Sequence, residues 1–188
     1  MIRRRAKSIT PAPPAPAEAP WRLALVLGGA RSGKSREAEG LIARYPPPWV
    51  YIATAEAGDD EMAARIAAHR ARRGAGWRTI EAPIDLTGAF AGAGTAPVLL
   101  DCLTLWLTNL LLGGFAIAPA VAALENLLAQ RPAPTVLVAN EVGLGIVPEN
   151  ALARRFRDEA GALNARLAAR ADRVLFMVAG LPIEVKRR

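Results

Sequence analysis

The amino-acid sequence predicts an α/β protein with a P-loop NTPase-like, three-layer fold, in which helices flank a mainly parallel sheet. First, short apolar runs alternate along the chain with longer helical segments, as strands and helices do around such sheets. Second, a glycine-bearing loop at residues 28–35, GGARSGKS, directly follows the first apolar run. A strand, a loop of this composition and a helix in succession are typical of a phosphate-binding loop.

The elements of the N-terminal half follow from apolar runs and helix-stopping residues. Residues 23–27 are continuously apolar and predict a buried strand, and residues 36–45 predict the helix after the glycine-bearing loop. Prolines at 46–48 end that helix because proline cannot continue the helical hydrogen bonds. Residues 50–53 predict a second strand, and residues 59–73 predict a helix with a strongly polar face.

The C-terminal half repeats the alternation of short apolar runs and longer helical segments. The third predicted strand covers residues 98–100 and ends at Asp101. Two more strands are predicted at 136–139 and 174–178, and three helices at 103–112, 120–130 and 151–171.

The chain divides into a short tail and one domain. Its 188 residues, 52% of them apolar, are enough for a single hydrophobic core. Residues 1–20 combine a basic patch with Pro/Ala-rich sequence and few bulky apolar side chains, which predicts a disordered tail. Residues 21–188 are predicted to form a P-loop nucleotide-binding catalytic domain.

The formal net charge of +7 is concentrated at the two ends of the chain. Basic residues cluster in the tail at 1–20 and again at 186–188, whereas the body between them is nearly balanced. A nearly balanced body argues against a nucleic-acid-binding surface, so we predict no nucleic-acid partner.

Membrane insertion and secretion are also disfavoured. Residues 102–124 carry no charge and are long enough to raise the question of a transmembrane span. They include Asn109, Gly113 and Pro119 and follow a short strand, which favours a packed helix instead. Prolines in the tail occupy the place where a secretory signal would be apolar.

The cysteine content indicates the compartment. The single Cys102 forms no intramolecular disulfide and fits a reducing compartment, so we predict a cytoplasmic protein without a membrane span.

The loop at 28–35 matches the pattern G-x-x-x-x-G-K-[ST], whose spacing has a physical purpose. Glycines let the backbone turn tightly and approach phosphate groups, so that successive N–H groups point at anionic oxygens. The N-terminus of the following helix adds a partial positive charge. In such a loop the lysine, here Lys34, reaches the β- and γ-phosphates, and the hydroxyl of Ser35 ligates magnesium. We therefore predict a site for a nucleoside triphosphate with magnesium.

Asp101 is the natural second partner for the metal. The run VLLD ends in a carboxylate, as a Walker B strand does, and ligands of open α/β sheets bind at the edge where the strands end. Aspartate is also a good N-cap, and an ordinary helix-starting role for Asp101 is the alternative. The presence of the loop at 28–35 favours magnesium chemistry.

His69 is the single histidine of the chain and lies in an arginine-rich helical segment. Helical spacing places Glu61, Arg65 and His69 in line, with Arg72 and Arg73 following on the same side. Neighbouring cations favour the neutral imidazole, which is the nucleophilic form, and arginines bind phosphate groups well. A solvated histidine on a charged helix is the alternative, and spacing alone does not choose between the two.

An ordered set of short motifs extends over about residues 23–186. They are GGARSGKS at 28–35, YIATA at 51–55, DDEM at 59–62, RI at 65–66, HR at 69–70, WRTIE at 77–81, LDCLT at 100–104, NLL at 109–111, NEVGLGIVP at 140–148, RRFRD at 154–158 and Asn164. The set resembles the bifunctional adenosylcobinamide kinase / adenosylcobinamide-phosphate guanylyltransferase family of cobalamin biosynthesis. The loop alone is generic, whereas the ordered set is specific.

The resemblance implies two reactions. A nucleoside triphosphate, ATP or GTP, first phosphorylates the aminopropanol hydroxyl of adenosylcobinamide. A histidine then attacks the α-phosphorus of GTP and expels pyrophosphate, and the guanylyl-histidine passes GMP to adenosylcobinamide phosphate, giving adenosylcobinamide-GDP. By the family motif, His69 is that nucleophile. The resemblance also implies a homo-oligomer, commonly a trimer.

The resemblance further implies roles for individual residues. Lys34 joins His69 as a catalytic residue, and Ser35 and Asp101 are the expected magnesium partners. The expected nucleotide-binding residues are Gly28, Gly29, Ala30, Arg31, Ser32, Gly33, Lys34, Ser35, Arg36, Ala53, Thr54, Ala55, Arg70, Arg72, Arg73, Glu81 and Asp101.

Two carboxylates, Glu81 and Glu141, have an ordinary alternative beside the functional one. Glu81 has the chemistry to accept from the N1–H and N2–H₂ groups of guanine, which would explain a preference for GTP. Asn140 and Glu141 follow a predicted strand and are expected at the same edge, near the corrinoid. Ordinary surface carboxylates are the alternative for Glu81 and Glu141.

The function of the whole chain also has alternatives. They are guanylyl transfer without effective kinase activity, a regulatory nucleotide-binding module and a nucleic-acid-associated ATPase.

Overall fold

The computed structural model describes residues 21–56, 58 and 60–188, and within them it has seven strands and six helices. The strands are β1 (Leu23–Gly28), β2 (Trp49–Ala53), β3 (Trp77–Glu81), β4 (Val98–Asp101), β5 (Thr135–Asn140), β6 (Arg173–Val178) and β7 (Leu181–Arg187). The helices are α1 (Lys34–Ile42), α2 (Asp60–Arg72), α3 (Leu86–Ala93), α4 (Leu103–Leu112), α5 (Ile117–Gln130) and α6 (Ala151–Arg170). The predicted tail at 1–20 lies outside the described residues.

The strands join in one sheet, in the order β3–β2–β4–β5–β1–β6–β7. Neighbouring strands are parallel, except that β7 runs antiparallel to β6. β1 lies inside the sheet, with β5 on one side and β6 on the other. One strand, β5, therefore separates β1 from β4.

Helices cover both faces of the sheet, and each face has its own apolar core. On one face, α1 packs over β1 and β5 through the buried residues Ala38, Leu41 and Ile42. On the other face, α3, α4, α5 and α6 form a larger core around side chains such as Trp106 and Leu107. Successive residues of a strand point to opposite faces, which is why the central strands are apolar throughout. The predicted three-layer α/β fold with a mainly parallel sheet is confirmed.

Three observed elements, β3, α3 and β7, are not predicted by the apolar pattern. The sequence of β3, WRTIE, has no continuous apolar run, and none of its residues is buried. Helix α3, LTGAFAGA, is short and holds two glycines, which weaken helical propensity, although Asp85 caps it by accepting from Gly88 N–H at 2.9 Å. Strand β7, LPIEVKR, carries the proline and charges that are typical of an edge strand.

The basic end of the chain is part of the folded domain. Lys186 Nζ, on β7, donates to the carbonyl oxygens of Ala168 and Ala169 at 2.8 and 2.9 Å. Both carbonyls belong to the last turn of α6, where a cation complements the helix dipole. The basic residues at 186–188 therefore include one that is bonded within the fold rather than only solvated.

The uncharged stretch at 102–124 folds as two helices. The chain leaves α4 at Gly113 and turns through Gly114, whose φ of 70° favours glycine, before α5 begins. Of the helices in the described part of the chain, none is both long enough and apolar enough to cross a membrane.

Candidate active site

The carboxyl ends of the parallel strands bring the predicted site residues to one edge of the sheet. Gly28, at the end of β1, pairs with Asn140 at the end of β5. Ala53, at the end of β2, pairs with Glu81 on one side and with Asp101 on the other. Ligands of open α/β sheets bind outside this edge. The structure therefore gathers residues from five strands at the position where a nucleotide would bind.

The loop between β1 and α1 has a backbone that requires glycine. Gly28 has a φ of 149°, and a Cβ at this position would lie 2.7 Å from the carbonyl oxygen of Met177 and 2.8 Å from Ser32 Oγ. Gly33 has a φ of 94° and is the N-cap residue of α1, which begins earlier than predicted, at Lys34. No side chain caps this N-terminus, and an uncapped helix N-terminus attracts anions.

Lys34 lies within the loop that it is predicted to serve. Its side chain is 7% exposed, and its Nζ donates to the carbonyl oxygen of Gly29 at 2.5 Å. Ser32 Oγ is buried and has no hydrogen-bond partner among the described residues. A buried hydroxyl without a partner is costly, whereas a phosphate oxygen in the loop would accept from it. The loop thus contains the buried ammonium group of Lys34 and the hydroxyl of Ser32, which can donate to a phosphate oxygen.

Asp101 does not cap the helix that follows it. The N-cap residue of α4 is Cys102, and no side chain caps that helix. The Asp101 carboxylate instead accepts at Oδ2 from the Tyr51 hydroxyl at 3.1 Å. Burial, reinforced by this carboxylate, raises the pKa of Tyr51 above its ordinary value, so the hydroxyl stays protonated and donates. The N-cap alternative for Asp101 is therefore wrong, and its carboxylate is held at the strand edge by Tyr51.

Helix α2 carries His69 on the outside of the domain. His69 is half-buried, and the described side chains elsewhere on the helix are half-buried or exposed. Arg70 forms an ion pair with Glu81 at the end of β3, in which the two side chains are 51% and 66% exposed. Two of the residues predicted to bind guanine nucleotide are thus in direct contact. The side chain of Arg72 lies outside the described part of the structure.

Arg73, just after α2, turns toward the sheet. Its guanidinium lies over the Tyr51 ring, 3.6 Å from the centroid, and Nη2 donates to Thr79 Oγ1 at 3.4 Å. Its Nη1 is buried and has no hydrogen-bond partner within the described residues. Arg73 therefore lies just past the end of α2, and a cation–π contact holds its side chain against β2.

The side chain of Thr54, just after β2, bonds to the protein backbone and is not accessible to a ligand. Its hydroxyl, which is fully buried, donates to Cys102 O at 2.7 Å and accepts from Cys102 N–H at 2.8 Å. Asn109 Nδ2 donates to the carbonyl oxygens of Thr54 and Pro83 at 2.9 and 3.0 Å. These hydrogen bonds hold the backbone at 53–55 against the end of β4.

The single cysteine beside this backbone is not a candidate nucleophile. Burial raises the pKa of the Cys102 thiol to about 11, so this thiol is unreactive at neutral pH.

Asn140 and Glu141 are placed beside the glycine loop. Asn140 N–H donates to Thr104 Oγ1 at 2.6 Å, and Glu141 N–H donates to the carbonyl oxygen of Gly28 at 3.1 Å. Glu141 Oε1 accepts from Gly143 N–H at 2.6 Å. The sequence patterns do not predict that Thr104 and Asn109 hold the backbone beside the site. A polar side chain within the otherwise apolar α4 is the feature of the sequence that could have indicated both.

The fold and these contacts define a class of protein. A parallel sheet, a glycine loop with an embedded lysine and a carboxylate at the same sheet edge are the marks of a P-loop nucleotide-binding protein. A solved structure described as "Structural study of Project ID PH0250 from Pyrococcus horikoshii OT3" is similar, with a TM-score of 0.51 and 10% identity. The match covers 88% of this chain and 86% of the other and concerns the fold alone.

The family follows from sequence comparison. A family model described as CobU, cobinamide kinase / cobinamide phosphate guanyltransferase, matches residues 24–185. A bifunctional adenosylcobalamin biosynthesis protein CobP of Pseudomonas aeruginosa is 52% identical over 166 residues, which cover 86% of this chain and 96% of that protein. A bifunctional adenosylcobalamin biosynthesis protein CobU of Salmonella typhimurium is 48% identical over 180 residues, covering 86% and 98%. The chain belongs to the CobU family.

Membership of this family confirms the recognised resemblance. The chain is an enzyme of cobalamin biosynthesis with cobinamide kinase and cobinamide phosphate guanylyltransferase activity. Both activities take a nucleoside triphosphate as a substrate, which agrees with the loop between β1 and α1.

Proposed function

We propose that the chain carries out its two reactions with two different sets of side chains at one sheet edge. At the glycine loop, ATP or GTP phosphorylates adenosylcobinamide. At His69, GTP forms a guanylyl-histidine that passes GMP to adenosylcobinamide phosphate. The proposal rests on the presence of two separate groups: Lys34 is embedded in the loop, and the chain's single histidine lies on a helix whose Arg70 contacts Glu81.

The first reaction depends on the loop at 28–35. Its N–H groups and the N-terminus of α1 hold the β- and γ-phosphates, and Lys34 neutralises charge that develops on the transferred group. The acceptor hydroxyl oxygen bonds to the γ-phosphorus, the bond from that phosphorus to the β-bridging oxygen breaks, and the hydroxyl proton is released. Lys34 is already buried in the loop, so little reorganisation precedes the transfer.

Magnesium fits the donor set at this edge. The hydroxyl of Ser35 and the carboxylate of Asp101 are hard oxygen donors, and magnesium uses one or two such protein ligands beside phosphate oxygens and water. Within the described residues, no group of three or more His, Cys, Asp or Glu forms a dedicated metal cage, which agrees with an ion held mainly by nucleotide. When bound, the ion supplies charge neutralisation on the phosphates.

The second reaction depends on the end of α2. An imidazole nitrogen of His69 attacks the α-phosphorus of GTP, and pyrophosphate leaves. A phosphate oxygen of adenosylcobinamide phosphate then attacks the same phosphorus, which breaks the N–P bond and restores the imidazole. Arg70 and Arg72 are proposed to hold the triphosphate during attack, since guanidinium groups bind phosphate oxygens in pairs.

Glu81 is proposed to select guanine. Its carboxylate accepts from the base N1–H and N2–H₂ groups, which adenine does not offer. The Arg70–Glu81 pair supports this role because it lies at the edge of the site and is exposed. Exposed ion pairs contribute little stability, so a nucleotide can replace the pair, with the base on Glu81 and phosphate on Arg70.

We also infer a homo-oligomer, commonly a trimer in this family, that works in the cytoplasm. The exposed apolar residues of the edge strand β7, Leu181, Ile183 and Val185, support association. The reduced, buried Cys102 suits a reducing compartment. A monomeric mass by light scattering at micromolar concentration would contradict the oligomer.

Covalent labelling tests the proposed function. The protein is incubated with magnesium and α-³²P-GTP, denatured and examined for acid-labile label, with His69→Ala as the matched control. We expect label on the wild type and none on His69→Ala. Absence of label on a folded wild-type protein that binds GTP would contradict the guanylyl-histidine and leave the kinase reaction alone.

A further inference from the structure

Tyr51 contacts a group from each half of the proposed site. Its hydroxyl donates to Asp101 Oδ2 at 3.1 Å, and the Arg73 guanidinium lies 3.6 Å from the centroid of its ring. The two contacts use different parts of one side chain, the hydroxyl and the π face. Removal of the hydroxyl alone can therefore be separated from removal of the ring.

The position of Tyr51 in the sheet makes the contact with Asp101 firm. In the β2–β4 pairing, Tyr51 is opposite Leu99 and Ala53 is opposite Asp101, so the phenol reaches diagonally to the last residue of β4. Tyr51 is 6% exposed, and Trp77 packs edge-on against it with the centroids 6.4 Å apart. A packed aromatic ring has few rotamers, so the hydroxyl holds the carboxylate oxygen in one place.

The contact with Arg73 is held by the same ring. Nη2 of Arg73 donates to Thr79, which is opposite Tyr51 in the β2–β3 pairing, at the long distance of 3.4 Å. Nη1 is buried without a hydrogen-bond partner in the described part of the chain. Because Nη2 is only weakly hydrogen-bonded and Nη1 is not, the cation–π contact with the Tyr51 ring is the main interaction that holds the Arg73 side chain against the sheet.

We propose that Tyr51 is a positioning residue that serves both reactions. Its hydroxyl orients the Asp101 carboxylate toward the magnesium-bound nucleotide, and its ring anchors the chain just after α2, the helix that carries His69. The inference rests on the proposed roles of Asp101 and His69, and Tyr51 itself touches neither nucleotide nor acceptor in the reaction.

Calorimetric titration with β,γ-imido-ATP, with and without magnesium, tests the role of the hydroxyl. Tyr51→Phe keeps the ring and removes the bond to Asp101. We expect the magnesium-dependent gain in affinity to fall about tenfold, as when a metal ligand loses the group that orients it. Affinity without magnesium should stay within about twofold of wild type, because the glycine loop is unchanged.

Tyr45→Phe is the matched control. The hydroxyl of Tyr45 also donates to a protein oxygen, that of Trp21, at the same distance of 3.1 Å. We expect this variant to bind the analogue like the wild type under both conditions, even where its melting temperature falls. An unchanged magnesium dependence in Tyr51→Phe would overturn the proposal, and so would an equal loss with and without magnesium, which would show a merely structural role.

The rate of guanylyl labelling tests the role of the ring. Tyr51→Phe should label within about twofold of wild type, whereas Tyr51→Leu, which removes the π face, should label about fivefold more slowly. Equal rates for the two variants would overturn the anchoring role. If the wild type itself forms no label, the guanylyl proposal fails, and the calorimetric comparison still decides the role of the hydroxyl.

Discussion

The glycine loop and helix α2 are built in opposite ways, although both end at the same edge of the sheet. The loop joins β1, which is bonded to strands on both sides, to α1, which packs on a buried core, and its lysine is enclosed. Helix α2 exposes most of its described side chains. Among the described contacts, its end is joined to β3 by the exposed Arg70–Glu81 pair, and Arg73 adds a cation–π contact with Tyr51 and a long hydrogen bond to Thr79. The glycine loop is therefore preorganised by the core, whereas His69, the proposed nucleophile, is carried by a peripheral element.

The difference suits two reactions at different phosphorus atoms of a triphosphate. Transfer at the γ-phosphorus needs a rigid cradle, because its catalysis is positioning and charge stabilisation. Attack at the α-phosphorus needs a nucleophile that approaches from outside the cradle. Elements with few buried contacts open at low free energy, so the end of α2 is the part of the site best able to adjust to different ligands.

Substitution of Lys34 should have the largest effect. Lys34→Met removes the charge within the loop, and we expect phosphoryl transfer from γ-³²P-ATP to cobinamide to fall about 10²–10³-fold. Label from α-³²P-GTP should stay within about threefold of wild type, because Arg70 and Arg72, rather than the loop, are proposed to hold that triphosphate. A comparable loss of label in Lys34→Met would contradict the separation and show that both reactions use the glycine loop.

Substitution of Gly28 tests whether the loop is rigid because of its backbone. Gly28→Ala places a Cβ 2.7 Å from a backbone carbonyl at a φ of 149°, so we expect a loss of about 2 kcal/mol or more in the free energy of unfolding. Denaturant unfolding measures it. Gly40→Ala, within α1 and with open space around the new Cβ, is the matched control and should stabilise the protein by about 0.5–1 kcal/mol. Equal effects would show that the loop tolerates a side chain.

An ion cluster joins α5 to α6 on the face of the sheet opposite α1, with a buried glutamate between two half-exposed arginines. Glu125, 5% exposed, accepts from Arg166 Nε at 2.9 Å and lies 3.3 Å from Arg170. We expect Glu125→Gln to cost about 2 kcal/mol at pH 7, measured by denaturant unfolding, with little change in nucleotide affinity.

The same cluster gives a defined pH dependence. The hydrogen bond from Arg166, the largest cause, lowers the pKa of Glu125 below its ordinary 4.5. A lowered folded-state pKa means that this stabilisation is complete above pH 4.5 and is lost as pH falls through the folded-state value. The stability difference between wild type and Glu125→Gln should therefore shrink below that pH, and a constant difference would contradict the account.

The Arg70–Glu81 pair should have the smallest effect on stability. Both side chains are more than half exposed, so Glu81→Gln should change the free energy of unfolding by less than about 0.5 kcal/mol. The preference of labelling for GTP over inosine triphosphate, which lacks the N2–H₂ group, should nevertheless decrease. An unchanged preference would remove Glu81 from guanine recognition.

The sequence predicts the loop region better than the α2 region, for a physical reason. Local sequence patterns predict the strand before the loop, the glycines and the carboxylate of Asp101. The reason is that a buried strand requires apolar residues and a tight loop requires glycines. The insertion of β5 between β1 and β4, the inward turn of Arg73 and the bond from Tyr51 to Asp101 depend on which strands become neighbours. Local patterns do not encode that choice, and β3, which supplies Glu81 and Thr79, lacks an apolar run altogether.

The most direct test of the separate roles is to measure both activities on one preparation of folded His69→Ala. With γ-³²P-ATP and cobinamide, we predict phosphoryl transfer within about threefold of wild type, because the cradle is unaltered. With α-³²P-GTP, we predict no covalent label. Loss of both activities in the folded variant, or retention of the label, would contradict the assignment of the two reactions to the glycine loop and to His69.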